Sequence, residues 1–391
     1  MMRARKLVRT TAMLGICLTL SGCFYGPQGL HVTRPEYNNV LKRSAEEEML
    51  LNIVRLKYRE TPEFLGVPSV IESLSFAGGG GGNAGFTPHR LSSWGLNGNA
   101  SFRESPTISY APLQDEQFNK RLLSPVSIEV LDLLAETGWD VSRVFRLIAK
   151  NINDVDNATS AGGPTPEIAP AYSEFHSATW MMRELQKQRQ LEITHAQTPM
   201  TITTEDEDGN KVERQDFVEQ VGMRIDPEAL DSPEAKAIKE LFHLAALDVP
   251  GRDDPGFVPF QSAATGQIKQ RGKQHDKLHI SNRSFLEVMY FLSQGICIPD
   301  EHYQQGLITV TQDEAGNFFD WQNVTGDLLK VYVTDKEPAD AAVAVEYRGY
   351  WYYIYDSDLN SKSTFNLLLE LYNIAIRGGA VGQTPVLTQG V

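Results

Sequence analysis

The stretch AAVAVEYRGYWYYIYD, residues 341–356, admits few folds. Alternating residue types, a central Arg348-Gly349 and six aromatic rings between Tyr347 and Tyr355 describe two strands joined by a two-residue turn. Pairing across that turn sets Tyr347 opposite Tyr350, Val345 opposite Tyr352 and Val343 opposite Ile354. The alternate face sets Glu346 opposite Trp351, Ala344 opposite Tyr353 and Ala342 opposite Tyr355. The valines and Ile354 mark the first face as core. On the second, Trp351, Tyr353 and Tyr355 are the candidate ligand or partner surface, either beneath a closing helix or open to a glycan or protein. A helix over residues 362–377, with Phe365, Leu368, Leu369, Tyr372 and Ile376 around much of its circumference, is the expected cover.

LITVTQ and DLLKVYVTD, upstream of this hairpin, read as two more strands. Four successive strands and then a helix predict an antiparallel sheet capped on one face, and an α+β fold class. Earlier segments are mostly helical. Ser44 and Glu47 have the spacing of a capping box, followed by an apolar face of Met49, Leu50, Ile53, Val54 and Leu56. Residues 114–153 read as three short helices separated by Pro125 and Gly138. Gly162, Gly163, Pro164 and Pro166 make 154–168 the expected linker between a 44–153 helical region and a 169–391 α+β domain. Within the latter, helices are expected near 172–190, 228–247 and 285–292, with a hairpin turning at Asp208-Gly209. The acidic run from Glu205 to Asp208 is that hairpin's solvated tip.

Inserted in the helical region is a glycine-rich β-ribbon near residues 67–110. Serine, glycine and alternating apolar positions such as Trp94, Leu96, Ala100 and Phe102 indicate two weak strands around the glycines at 78–82. Those glycines lack the Gly-Lys-Ser/Thr ending of a phosphate-binding loop. Three readings stand: a surface hairpin, an interaction ribbon that pairs with copies of itself, or part of an oligomeric membrane barrel. Arg90, Arg103 and Glu104 oppose insertion unless they flank the membrane band.

The chain begins with an export signal, Arg3, Arg5, Lys6 and Arg9 preceding an apolar stretch from Thr10 to Leu20 that is too short for an ordinary membrane span. Its ending, Leu20-Ser21-Gly22-Cys23, resembles the lipobox of bacterial lipoproteins. The resemblance implies cleavage after residue 22 and acylation of Cys23, so that residues 23–43 become a lipidated tether. Phe24, standing where inner-membrane lipoproteins carry aspartate, implies by the same resemblance the outer membrane, with the body facing the periplasm. Two or more acyl chains suffice for stable anchoring.

Loss of residues 1–22 removes four positive charges and moves the formal net charge from −14 to −18. No basic cluster remains to displace phosphate counterions, so nucleic acid is not an expected partner. Of three cysteines, Cys17 leaves with the signal and Cys23 is lipidated; Cys297, in the apolar string GICIP, reads as a buried small hydrophobe. No cofactor or metal is expected. His275 and His279 lack a third ligand, and Asp356, Asp358 and Asn360 precede Ser361 and Leu367 where a calcium loop needs glycine and glutamate. No zinc-protease or serine-hydrolase motif is present.

The strings LLNIVRLKYRETPEFL, SPTISYAPL and YRGYWYYIYDSDLNSKSTFNLLLELYNI resemble those of uncharacterised bacterial envelope lipoproteins, a group that implies no activity or site residues. The expected role is that of a non-enzymatic structural or interaction component of an envelope assembly, through an envelope protein partner or self-association. An export or pore component built on the ribbon, and an envelope hydrolase or glycan-binding protein, are the alternatives.

Overall fold

Helix α1 (Tyr25–Lys57) opens the computed structural model, which describes residues 25–87, 90–205, 211–248, 254–263 and 273–377. Residues 25–43 are therefore helical instead of an extended tether, and the helix passes through Pro35. Ser44, expected to start the helix, lies inside it. Ion pairs Lys42–Glu46 (2.6 Å) and Arg43–Glu47 (2.8 Å) tie the two halves together at i,i+4 spacing, so Glu47 holds Arg43 and not a cap. Further along, Met49, Leu50, Ile53, Val54 and Leu56 are buried as the sequence pattern requires.

The ribbon follows as β1 (Leu65–Thr87) and β2 (Arg90–Pro112), antiparallel to each other and, among the described residues, paired to no other strand. At its base Leu113 N–H donates to Phe64 O at 2.9 Å. Three helices then pack as expected: α2 (Glu116–Leu123), α3 (Ile128–Glu136) and α4 (Val141–Ile148). Asp115 and Asp140 cap α2 and α4 by accepting from Phe118 N and Arg143 N.

The expected linker at 154–168 is instead part of the fold. Strands β3 (Ala149–Ile152) and β4 (Val155–Asp156) pair directly. The Asn157 amide donates to Arg146 O (2.8 Å) and Ala149 O (2.7 Å), which fixes the turn after β4. Ala158 and Ala161 are fully buried. This stretch is therefore packed into the body and is not a spacer.

Downstream come α5 (Ser173–Lys187), β5 (Leu191–Glu205), β6 (Lys211–Ile225), α6 (Pro233–Leu241), β7 (Phe257–Ser262) and β8 (Leu278–Asn282). The six-stranded sheet has the order β4-β3-β8-β7-β6-β5, with only β7 and β8 parallel. It joins residues from both sides of the expected boundary. A single core cluster runs from Met49 to Ile376, so 44–153 and 169–391 are one packed unit. Of the described strands, β6 pairs with β7 at Gly222–Arg224 and with β5 along its length. A Cβ at Gly222 would lie 2.4 Å from the Phe257 ring, so glycine permits this close approach. The expected turn at Asp208-Gly209 lies outside the described residues, as does Cys23.

Helices α7 (Phe285–Ser293), α8 (Asp300–Gln304) and α9 (Gln322–Thr325) lead into β9 (Tyr332–Thr334), β10 (Ala341–Tyr347), β11 (Tyr350–Tyr355) and α10 (Leu359–Leu371). The C-terminal sheet is antiparallel with order β10-β11-β9, three strands where the sequence suggests four. LITVTQ makes only isolated bridges among the described residues, at Gln312 with Ile168 and Phe318, and the Thr311 hydroxyl donates to Pro166 O and accepts from Trp321 Nε1. Asp358, and neither Asn360 nor Ser361, caps α10 by accepting from Ser361 N (3.0 Å) and Oγ (2.7 Å). Among the described residues no helix is long and apolar enough to cross a membrane.

Among the described residues Lys57, Arg146, Lys150 and Arg283 are buried cations, and two of them, Arg283 and Lys57, have no carboxylate partner there. Arg283, between β8 and α7, is fully buried and donates to Arg146 O (3.0 Å), Leu147 O (3.2 Å), Ala149 O (2.9 Å) and Asn157 O. Its guanidinium sits 4.1 Å from the Phe291 ring centroid. Lys57, at the end of α1, donates to Gln294 Oε1 at 2.8 Å with no carboxylate partner. Burial pulls its pKa down to about 7.

Arg283→Met keeps an apolar stem and removes every donor, stranding buried carbonyls at about 1–3 kcal/mol each. Urea unfolding is expected to show a loss of at least about 3 kcal/mol, and an unchanged midpoint contradicts this. Lys57→Met tests the second cation. Because the folded pKa lies below the unfolded one, the wild-type chain gains stability as pH rises from about 7 toward 10.5, by up to about 1.4 kcal/mol per pH unit. The Met variant lacks that gain, so its stability advantage near pH 7 is expected to shrink steadily toward pH 10; a pH-independent difference refutes the burial argument.

Candidate interaction site

The hairpin β10–β11 turns through Arg348 (φ 52°) and Gly349 (φ 81°), both left-handed as a two-residue turn of this hand needs. Its register matches the sequence reading from Tyr347↔Tyr350 to Val343↔Ile354; a bulge at Ala342 then makes Ala341, not Ala342, the partner of Tyr355. Val343, Val345, Tyr352 and Ile354 are buried in the core cluster.

On the other face, Tyr353 is buried while Trp351 and Tyr355 are half-buried. Their cover is not α10, whose Phe365, Leu367, Leu368 and Leu371 enter the main core and whose polar partners are Arg143, Trp139 and the backbone of Lys330. Tyr332 of β9 packs against Tyr353 (5.9 Å) and Tyr355 (4.7 Å) instead. Tyr353 donates to Tyr355 Oη at 2.8 Å, and burial together with this bond pushes its pKa up to about 12. The three rings thus divide. Tyr353 and Tyr355 belong to a tyrosine cluster, whereas Trp351 borders a cleft.

That cleft, of about 1060 Å³, runs between α1 and β10 and is lined by Arg43, Glu47, Leu51 and Arg55 on one side and by Ala342 and Ala344 on the other. Strand β10 is the edge of its sheet. Among the described residues, no backbone bond from outside the hairpin reaches Ala341–Tyr347. Glu47, Glu48, Glu63, Glu337 and Glu346 outnumber Arg43 and Arg55 around it. An open strand edge beside small residues and an acidic rim has the chemistry to accept an extended segment.

At the turn end of the hairpin, the Tyr58 hydroxyl is shared with His302 Nδ1 (2.6 Å) and the Tyr352 hydroxyl (2.5 Å). Burial raises the pKa of both phenols, that of Tyr352 to about 12, and lowers that of His302. Arg348 lies 5.0 Å from the Tyr58 ring centroid and bonds Glu60 at 2.7 Å. Neutral, mutually bonded groups of this kind clamp α1 to the hairpin. Cys297 is half-buried, and burial pushes its thiol pKa up, away from the reactive thiolate.

The metal candidates weighed from sequence resolve differently. His275 and His279 lie with ring centroids 5.4 Å apart, and Asp356 is taken by Lys362 (2.5 Å) while Asp358 caps α10. A different set comes together: Asp132 and Glu136 of α3 and His195 of β5, each offering a ligand atom within 4.8 Å of the others. The sequence carried half of that signal, since carboxylates at i,i+4 on a helix share a face. The histidine, 63 residues from Asp132, reaches them only through the fold.

No protein-family model, curated protein or solved structure matches the chain.

Proposed function

We propose that the protein is a lipid-anchored component of a bacterial envelope assembly, held at the outer membrane through Cys23, facing the periplasm, and joined to copies of itself through the β1–β2 ribbon. It works by assembly and not by catalysis. The observation that carries this reading is a two-stranded sheet of 23-residue strands with no third strand on either edge among the described residues. At about 3.3 Å per residue the ribbon is about 75 Å long. Two-stranded ribbons are marginal in water, and unpaired edges seek partners. Identical ribbons side by side supply them.

The register supports self-association. Val70 pairs with Ile108, Phe76 with Phe102, Gly82 with Leu96 and Ala84 with Trp94; at alternate positions Ser73 pairs with Ser105, Gly79 with Asn99 and Gly81 with Asn97. Apolar or small residue types thus alternate with polar ones at most positions, Glu72 and Glu104 on the first side and Ile71 on the second being the exceptions. One feature favours a pore as the second reading: neither Phe76–Phe86 nor Leu91–Phe102 contains a charged residue, and about 9–11 residues suffice for a membrane-spanning strand. Arg90, Arg103 and Glu104 flank that band.

Because Leu65 and Pro112 are register partners, residues 66–111 can be replaced by a short Gly-Ser turn without parting the body. The full chain extracted in detergent is expected to form large oligomers, and the ribbon-deleted chain to be monomeric with an unchanged melting temperature. Oligomers that survive the deletion, or a monomeric full chain, sink the reading. Ribbon-dependent dye release from lipid vesicles selects the pore version. In the ribbon-deleted background, Cys23→Ala is expected to move the protein from the membrane to the soluble fraction, and continued tight attachment rejects the lipid anchor.

A further inference from the structure

Away from the cleft and the ribbon β1–β2, the roots of β5 and β6 lie against α3. His195 Nε2 stands 2.7 Å from Asp132 Oδ2, and its other ring nitrogen, Nδ1, is 3.9 Å from Glu219 Oε1. Glu136 follows Asp132 by one helical turn and completes a set of three ligand-capable atoms within 4.8 Å of one another. In the β5–β6 register His195 pairs with Val221 and Gln197 with Glu219, so Glu219 stands two residues along from His195 on the same face.

The burial of Asp132 is the decisive detail. Its side chain is only 9% exposed, and although Oδ2 meets His195, Oδ1 is buried with no hydrogen-bond partner. An unsatisfied buried carboxylate oxygen is costly, and native folds rarely leave one. A cation beside it removes that cost. Glu136 and His195, by contrast, are exposed, which leaves them free to adjust and leaves a side open for water.

We propose that Asp132, Glu136 and His195 bind a divalent transition-metal cation, zinc being the probe of choice, with Glu219 orienting the imidazole. One nitrogen and two carboxylates suit zinc, with water in the fourth place. Bonds of about 2.0–2.2 Å require the ligands to draw together from their present spacing. The imidazole then carries its proton on Nδ1, toward Glu219, and presents the Nε2 lone pair to the metal, so the tautomer changes without net proton loss. This is the carboxylate–histidine–metal arrangement that fixes ring orientation. The bound ion links α3 to β5 and so braces the second ribbon at its root.

The test is calorimetric titration of zinc chloride into the chelator-stripped full chain carrying Cys297→Ser, so that no free thiol competes. One zinc per chain with micromolar or tighter affinity is expected, with a higher melting temperature and slower amide exchange in 191–196 and 219–225. Glu136→Gln, at an exposed position, is expected to abolish stoichiometric binding without changing the metal-free melting temperature, and His195→Gln is expected to abolish it as well. Glu219→Gln is expected to weaken it about 10–100-fold. Absence of binding, or binding that Glu136→Gln and His195→Gln leave intact, overturns the proposal.

Discussion

A guanidinium with no carboxylate partner holds the centre of this body together. Helix α4 passes directly into β3, so its last carbonyls have no room for a glycine cap and no water to meet. Arg283 answers that deficit from another part of the chain. It donates to the carbonyls of Arg146 and Leu147 in the last turn of α4 and of Ala149 just beyond, where the helix dipole is negative. Burial lowers its pKa only to about 9, which leaves it charged at neutral pH. The neighbouring residue, Ser284, begins α7 with a reciprocal capping box to Glu287. One short segment therefore terminates one helix and starts another, and the packing of α4, β3, β8 and α7 depends on it.

This arrangement sets the body apart from its appendages. Inside, the cations find partners for most of their donors: Arg146 reaches Asp327 and Val324 O, and Lys57 reaches Gln294, which also accepts from Thr165. The strand edges of β1, β2 and β10 have no such partners among the described residues. Polar backbone left unpaired over that length is stable only in water or against another chain. The packed body and the open strand edges are thus different parts of one molecule.

Local patterns were readable where local chemistry decides the outcome. The β10–β11 register followed from alternation and the Arg348-Gly349 turn, and α2, α3 and α4 from Pro125 and Gly138. Composition misled where distant partners decide. Gly162, Gly163 and Pro164 suggested a linker, yet the Asn157 amide holds this region to Arg146 O and the Arg283 guanidinium, 126 residues from Asn157, binds it from across the chain. The capping-box spacing at Ser44 lost to a helix already under way. Likewise α10, apolar around much of its surface, turned to the main core and left Trp351 to border α1. Asp132, Glu136 and His195 could be joined only once β5 was known to lie on α3.

Charge distribution limits how copies of such a chain can meet. After removal of residues 1–22 the formal net charge is −18, while the ribbon from Leu65 to Pro112 carries Glu72 and Glu104 against Arg90 and Arg103 and is formally neutral. Bodies bearing that many like charges repel within the roughly 8–10 Å over which salt fails to screen them. They also gain nothing from acidic headgroups. On the proposed reading, close approach of two copies is therefore cheapest along the neutral ribbon, with the bodies held apart at its base. A neutral, edge-open ribbon on an anionic body favours pairing through that element over indiscriminate aggregation.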